Sequence, residues 1–291
     1  MNNVAYEKRA LVQVETKKTS KSNKAVYRIM AALILIVVVM VCIYIFLSTK
    51  DSSKGKASSD ISKVIDFNNR RDSLVYQQAD IEKDFGVINF VNGNDRLFIK
   101  EDALCIKYPR GGEGIANSGA QINTKIKSKN EYYMEYEFCF DGNEADFDYQ
   151  EGGMLSGLAG GQFYNGNEQT IEKDGFHAML IYNNYGYIYP CVYSANDAYA
   201  GGNIYQQIGK INEGAWTKIK MYVKTNDVSD VNGIFKVWID DKLCFNGEDI
   251  RFTTNNSKIS ISNIQAYSND TVAKKGVSHE EFVYIDNVKV Y

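Results

Sequence analysis

The feature that most restricts the fold of this 291-residue chain is a recurring pattern of short apolar segments separated by turn pairs. From about residue 65 onward, segments rich in Val, Ile, Tyr and Phe are broken by Asn-Gly, Asp-Gly, Gly-Gly and Asn-Asp pairs. Beyond residues 29–47, no long window shows the periodicity of an amphipathic helix. The pattern predicts an all-β jelly-roll β-sandwich over residues 65–291, and an apolar content of 44% is enough for one large core.

Three of these segments can be oriented, because successive side chains of a strand point to opposite faces. In 132–140 the alternating Tyr, Met and Phe residues form the apolar face. In 176–183 and 187–193, one face of each segment is uniformly apolar, and the opposite faces carry His177, Met179, Tyr187, Tyr189 and Tyr193. If these two strands are neighbours, the second faces form one concave surface with a row of tyrosines.

A glycine-dense run, GGMLSGLAGG at residues 152–161, lies in the middle of this pattern. Five glycines in ten residues let the backbone bend sharply and let another group approach closely, as in the floor of a cleft. A flexible linker is the alternative, but the two leucines and the absence of Lys or Glu disfavour it. No Gly-Lys-Ser/Thr follows the run, which disfavours a phosphate-binding loop.

The N-terminal region predicts a membrane anchor. Residues 29–47 are uncharged and apolar, long enough to span a bilayer as one helix, whereas a cleaved signal peptide would have a shorter core and a small-residue cleavage site. Residues 1–28 form a basic tail, which the positive-inside rule places in the cytoplasm. Residues 48–64 are rich in Ser, Lys and Asp and predict a stalk. The domain at 65–291 is therefore expected outside the cell membrane.

Charge and cysteine content limit the partners of the exterior part. Residues 51–291 carry 25 basic and 34 acidic residues, an acidic balance that does not suit nucleic acid. The basic tail is explained by membrane topology and anionic lipid. No pattern predicts a metal site or a cofactor. Four cysteines outside the membrane segment allow two disulfides, but their strand-like surroundings favour buried thiols.

The glycine run and four further blocks resemble the family-14 polysaccharide lyases, which cleave uronic-acid polymers such as alginate and glucuronan by β-elimination. GGMLSGLAGG is similar to the family's GGKLPGLxGG. The other similar blocks, in the family's order, are LCIKYPRGGEGIANSGAQ, GFHAMLIY, IFKVWIDDKLCF and EEFVYIDNVKVY. The resemblance covers nearly the whole exterior part, and it implies a jelly roll with a concave cleft that binds a polysaccharide.

The resemblance also assigns site positions, several of which carry unusual residues here. The family's motif lysine corresponds to Met154, its strand serine to His177 and its strand arginine to Met179. The family's Tyr-x-Tyr pair corresponds to Cys191 and Tyr193. Two cations are therefore replaced by thioethers, which cannot stabilise an anion.

In a first interpretation the elimination site is rebuilt from other residues. β-Elimination needs a group that neutralises the carboxylate, a base for the C5 proton and an acid for the leaving oxygen. His177 is the predicted base, with Tyr193 or Tyr189 as the acid, while Gln121 and Arg110 hold the carboxylate. The alternatives are a structural strand histidine for His177 and a solvated turn cation for Arg110.

In a second interpretation the domain binds saccharide without cutting it. Tyr187, Tyr189 and Tyr193 present flat faces on which pyranose rings stack, and Met154 and Met179 add apolar contacts. Aromatic rows of this kind also occur as ordinary cross-strand packing. A third interpretation is a structural or protein-binding ectodomain that uses the same face. The sequence thus predicts a membrane-anchored extracellular protein that acts on or binds a polysaccharide.

Overall fold

The computed structural model describes residues 64–142, 146–150, 152–161, 175–194, 206–269 and 276–291. Within them, no helix combines the length and the apolar character needed to cross a membrane. The predicted transmembrane segment 29–47, the basic tail 1–28 and residues 48–63 of the predicted stalk lie outside the described residues. The membrane anchor therefore stays a prediction.

The described residues form mainly β-strands, which confirms the all-β prediction. The strands are β1 (Leu74–Val75), β2 (Ile88–Asn92), β3 (Leu97–Lys100), β4 (Ala103–Tyr108), β5 (Ala120–Lys129), β6 (Glu131–Phe140), β7 (Gly153–Gly160), β8 (Phe176–Tyr182), β9 (Tyr187–Ser194), β10 (Gly209–Lys210), β11 (Thr217–Lys224), β12 (Gly233–Ile239), β13 (Lys242–Ile250), β14 (Ile259–Ser268) and β15 (Glu281–Val290). Two short helices, α1 (Gln78–Phe85) and α2 (Gly114–Asn117), and a 3-10 turn at Asn94–Arg96 complete the described elements.

The strands form two antiparallel sheets. The eight-stranded sheet has the order β1-β3-β4-β15-β6-β11-β12-β13, and the seven-stranded sheet has the order β10-β9-β8-β7-β14-β5-β2. Apolar side chains from both sheets join in one buried cluster, so the two sheets pack as a sandwich. The side chains that the alternation of 132–140 predicted to be apolar and buried are all buried in β6.

The glycine-dense run forms β7, the central strand of the seven-stranded sheet, and it is not a linker. Its neighbours are β8 and β14. A Cβ atom added to Gly157 would collide with the carbonyl oxygen of Ala178 and lie 2.7 Å from Cβ of Met179. Glycine is therefore needed here because the backbone and side chain of β8 approach β7 closely.

The cysteines of the described part are free thiols, as the strand-like surroundings predicted. Cys105, Cys139 and Cys191 are buried, and Cys244 is partly exposed. Burial raises the pKa of Cys105 to about 12 and that of Cys139 to about 11, because the thiolate is poorly solvated there. These thiols behave as small apolar side chains of the sheet.

Candidate functional site

Four buried amide side chains lie together on the outer face of the seven-stranded sheet. We call them the amide cluster: Gln121, Asn123, Asn263 and Gln265. Gln121 lies directly opposite Gln265, and Asn123 directly opposite Asn263, on the paired strands β5 and β14. The residues between them in each strand, Ile122 and Ile264, face the sandwich core. All four amides have 0% exposure. The cluster is therefore buried although it lies on the side of the sheet away from the core.

Hydrogen bonds join three members of the amide cluster. Nε2 of Gln121 donates to Oε1 of Gln265 at 2.9 Å, and Nδ2 of Asn263 donates to the same oxygen at 2.8 Å. Nε2 of Gln265 donates to the backbone carbonyl of Leu155 in β7 at 3.0 Å. The register of the two strands shifts beside this contact, because β14 has one more residue than β7 between the pairs Asn263–Gly157 and Ala266–Leu155.

His177 adjoins the amide cluster and is neutral. Its Nε2 lies 3.2 Å from Nδ2 of Asn263, and the side chain is 2% exposed. Because the amide nitrogen only donates, Nε2 accepts, and the imidazole proton lies on Nδ1. Burial lowers the pKa of His177 to about 3, since the imidazolium ion is poorly solvated there. On the neighbouring strand β9, Tyr193 lies directly opposite His177.

Thioethers occupy the two positions at which the family resemblance places cations, and both accept hydrogen bonds. Sδ of Met179 lies 3.4 Å from Nε2 of Gln265. Sδ of Met154 lies 2.6 Å from the hydroxyl of Tyr267. A thioether is a weak acceptor and carries no charge. These positions therefore contribute to the hydrogen-bond network but cannot neutralise a carboxylate.

The predicted tyrosine row is present on β9 beside His177. Tyr187, Tyr189 and Tyr193 are half-buried and share the face opposite the core residues of this strand. The register of β8 and β9 confirms that the two strands are neighbours. Nζ of Lys210 lies 5.4 Å from the ring centroid of Tyr187, and Nδ2 of Asn183 donates to the hydroxyl of Tyr189 at 3.4 Å. Ring faces and one cation thus line the edge of the sheet.

The structure brings together only part of the predicted site. Gln121, His177 and Met179 meet through Asn263 and Gln265, two residues that the sequence reasoning missed. Their signal was the polar pair in the otherwise strand-like ISISNIQAYS segment. By contrast, Arg110 is exposed in the turn after β4 and forms no hydrogen bond or ion pair with the described residues of the cluster.

Comparisons with known proteins agree with this architecture. The alginate lyase Aly36B gives a TM-score of 0.69 at 19% identity, covering 79% of this chain and 96% of that chain. A double mutant of Aly36B in complex with alginate tetrasaccharide gives a TM-score of 0.70 at 19% identity, with coverages of 79% and 96%. The marine PL-14 alginate lyase from Aplysia kurodai gives 0.62 at 16% identity, with coverages of 76% and 97%. At such identities the likeness shows the fold alone.

The family follows from the sequence rather than from these superpositions. A comparison with curated proteins gives no match. The family model for polysaccharide lyase 14, however, matches residues 98–268, more than half of the chain, and this range includes the amide cluster, His177 and the tyrosine row. This confirms the predicted resemblance, and the chain belongs to the polysaccharide lyase 14 family.

Proposed function

We propose that the domain binds polysaccharide on the outer face of the seven-stranded sheet without cleaving it. The observation that carries the proposal is the neutral character of the site. Met154 and Met179 replace the two cations that the family resemblance implies, and both sulfur atoms accept hydrogen bonds from neighbours. Without a cation beside the sugar carboxylate, the C5 proton is not made acidic enough for ready removal.

The properties of His177 support binding over elimination. A general base works best when its pKa lies near the operating pH. Because the pKa of His177 is about 3, protonation of its imidazole at neutral pH costs up to about 5 kcal/mol more free energy than protonation of an ordinary histidine. This free-energy penalty and the loss of the two cations both disfavour β-elimination.

β-Elimination is the second candidate function, and one observation favours it. His177 and Tyr193 lie directly opposite each other on β8 and β9, an arrangement that suits a base and an acid acting on one sugar ring. Gln121 would then orient the carboxylate as a hydrogen-bond donor. In this second candidate, Tyr189 is the alternative acid.

The proposal also includes the cellular location of the protein. The basic tail and the apolar segment 29–47 support a single-pass anchor in the cell membrane with the N-terminus in the cytoplasm. The domain then displays its tyrosine row outside the cell, where polysaccharides of the envelope are accessible.

Binding and cleavage can be measured on the same sample. The full-length chain in detergent micelles is incubated with alginate and with glucuronan while absorbance is followed at about 235 nm, where the unsaturated product of β-elimination absorbs. We expect a flat trace together with retention of the protein on immobilised polysaccharide. A steady rise in absorbance would refute the binding-only proposal and favour the second candidate.

A matched pair of variants tests whether the tyrosine row binds polysaccharide. Tyr187→Ala removes one ring of the tyrosine row and is expected to weaken polysaccharide binding roughly fivefold, the value of one aromatic contact. Tyr222→Ala removes a half-buried tyrosine from the outer face of the other sheet and serves as the control. Equal affinities for the two variants would show that the tyrosine row does not bind the polymer.

A further inference from the structure

A pocket opens on the outer face of the eight-stranded sheet, away from the amide cluster and the tyrosine row. Its volume is about 200 Å³, and it is lined by Glu101, Cys139, Asp141, Gly214, Trp216 and Tyr284. Phe138 and Phe140 of β6 face the core, so Cys139 between them points outward. Cys139 pairs with Tyr284 of β15, and Trp216 directly precedes β11, the strand on the other side of β6. A small thiol between two large aromatic residues leaves the space of the pocket.

The two aromatic side chains of the pocket are suited to a cation. Trp216 is 47% exposed, so its ring is accessible to a ligand, whereas Tyr284 is 4% exposed. Tyr284 already contacts an ammonium group: Nζ of Lys100 donates to its hydroxyl at 2.9 Å and lies 5.5 Å from its ring centroid. The face of an aromatic ring carries partial negative charge and attracts cations. Both rings therefore favour a positively charged ligand.

The lining of the pocket is negatively charged. Glu101 and Asp141 contribute two carboxylates, and the described lining residues include no Lys, Arg or His. The Lys100 ammonium group lies 3.7 Å from Glu101, and together with the two carboxylates it leaves one negative charge in excess. Burial raises the pKa of the Cys139 thiol to about 11, with further contributions from the charges of Asp141 and Glu101. The fields of both carboxylates therefore reach the floor of the pocket.

The charge and the rings together define the class of ligand. The carboxylates would repel an anion, and an uncharged ligand would leave them without a counter-charge. Across the described residues, no group of three or more His, Cys, Asp or Glu side chains is placed to hold a metal ion, which favours an organic cation. A primary ammonium group carries three donors, enough for both carboxylates.

We propose that this pocket binds a primary ammonium group, carried by a small amine or by an amino sugar. The carboxylates of Glu101 and Asp141 accept its N–H groups, and the carbon atoms next to the nitrogen pack on the Trp216 ring. The pocket is separate from the proposed polysaccharide-binding face, and neither proposal depends on the other.

Two probes of the same size that differ in charge test the proposal. Aminopropanol is a cation at neutral pH, whereas propanediol is uncharged. The chain has two tryptophans, so the full-length Trp238→Phe variant in nonionic micelles reports Trp216 emission alone. At constant ionic strength, we expect aminopropanol to bind at least about fivefold more tightly, from one cation–π contact and a partly exposed ion pair. Equal binding of the two probes, or no response to aminopropanol, overturns the proposal.

A second pair of probes identifies the source of the ammonium group. Glucosamine carries the ammonium group on a sugar ring, and glucose is its uncharged counterpart. Tighter binding of glucosamine than of aminopropanol assigns the pocket to amino sugars, and weaker binding assigns it to small amines. Glucose that binds as tightly as glucosamine contradicts the role of the charge and overturns the proposal.

Variants at the carboxylates separate the pocket from a general charge effect. In the same Trp238→Phe background, Glu101→Gln and Asp141→Asn each remove one charge from the lining and should weaken aminopropanol binding about threefold. Glu131→Gln removes an exposed charge at the other end of β6 and is the control, with unchanged affinity expected. Glu101 is exposed in the turn after β3, so Glu101→Gln decides the test even if Asp141→Asn lowers the thermal midpoint. Equal affinities for Glu101→Gln and Glu131→Gln would overturn the proposal.

Discussion

Glu281 is a buried carboxylate whose ionisation makes stability depend on pH. It is 3% exposed, and its Oε1 accepts the backbone N–H of Asp148 and lies 3.2 Å from Nε2 of His279. Its Oε2 has no hydrogen-bond partner among the described residues. Burial raises the pKa of Glu281 to about 7, and the negative charges of Asp148, Glu213 and Asp141 add to this effect.

The size and the sign of the effect follow from linkage. The ordinary pKa of 4.5 applies to the unfolded chain, and the folded value is about 7. Between these values the folded protein keeps a proton that the unfolded chain has lost, so the free energy of unfolding falls as pH rises. The stabilising contribution is complete below pH 4.5 and is lost above about pH 7. The loss amounts to about 3 kcal/mol.

The variant Glu281→Gln removes this titration and keeps an oxygen for the Asp148 N–H group. Free energies of unfolding of the wild type and the variant are measured by chemical denaturation at about pH 5 and about pH 8. From the lower to the higher pH, the free energy of unfolding of the variant should rise by roughly 2–3 kcal/mol relative to that of the wild type. Any effect of the substitution that does not depend on pH cancels in this comparison. Glu280→Gln, at the exposed neighbouring carboxylate, is the control and should parallel the wild type. Parallel profiles for all three proteins would refute the reasoning.

Three further predictions concern the seven-stranded sheet and the thiols. Gly157→Ala should lower the free energy of unfolding by about 1–3 kcal/mol, because the new methyl group meets the Ala178 carbonyl, as denaturant titration can measure. His177 has a pKa lowered from 6.5 to about 3, so its stabilising contribution is present above pH 6.5 and lost as pH falls. His177→Gln should therefore keep roughly 2–3 kcal/mol more stability than the wild type on acidification to about pH 4.5, and equal acid sensitivity would contradict this. Native alkylation followed by mass mapping should label Cys244 well before Cys105, whose burial protects it.

Strand positions were predictable from the sequence because alternation is a local signal. The segments at 132–140, 176–183 and 187–193 match β6, β8 and β9 to within one residue at each end. In each, bulky apolar side chains at every second position could only be buried by a sheet with one face on a core. The pairing of β8 with β9 was also predictable from the sequence, since a turn of a few residues joins the two strands.

Other features were not predictable, for definite physical reasons. Helix α1 buries only Ile81 and Phe85, and two apolar side chains one turn apart are too weak a signal for helical periodicity. Asn263 and Gln265 alternate with apolar residues just as solvent-exposed polar residues do. Alternation separates the two faces of a strand, but it cannot tell that the polar face is buried as well.

The residue at position 179 has to match an amide whose orientation is already fixed. The backbone carbonyl of Leu155 can only accept, so it holds the nitrogen of Gln265 toward β7. The second proton of this nitrogen points to Sδ of Met179, and a thioether accepts it. An arginine at the same position has only donors, so it could not accept this proton. Exchange of a cation for a thioether thus removes a charge and also supplies an acceptor for the Gln265 amide.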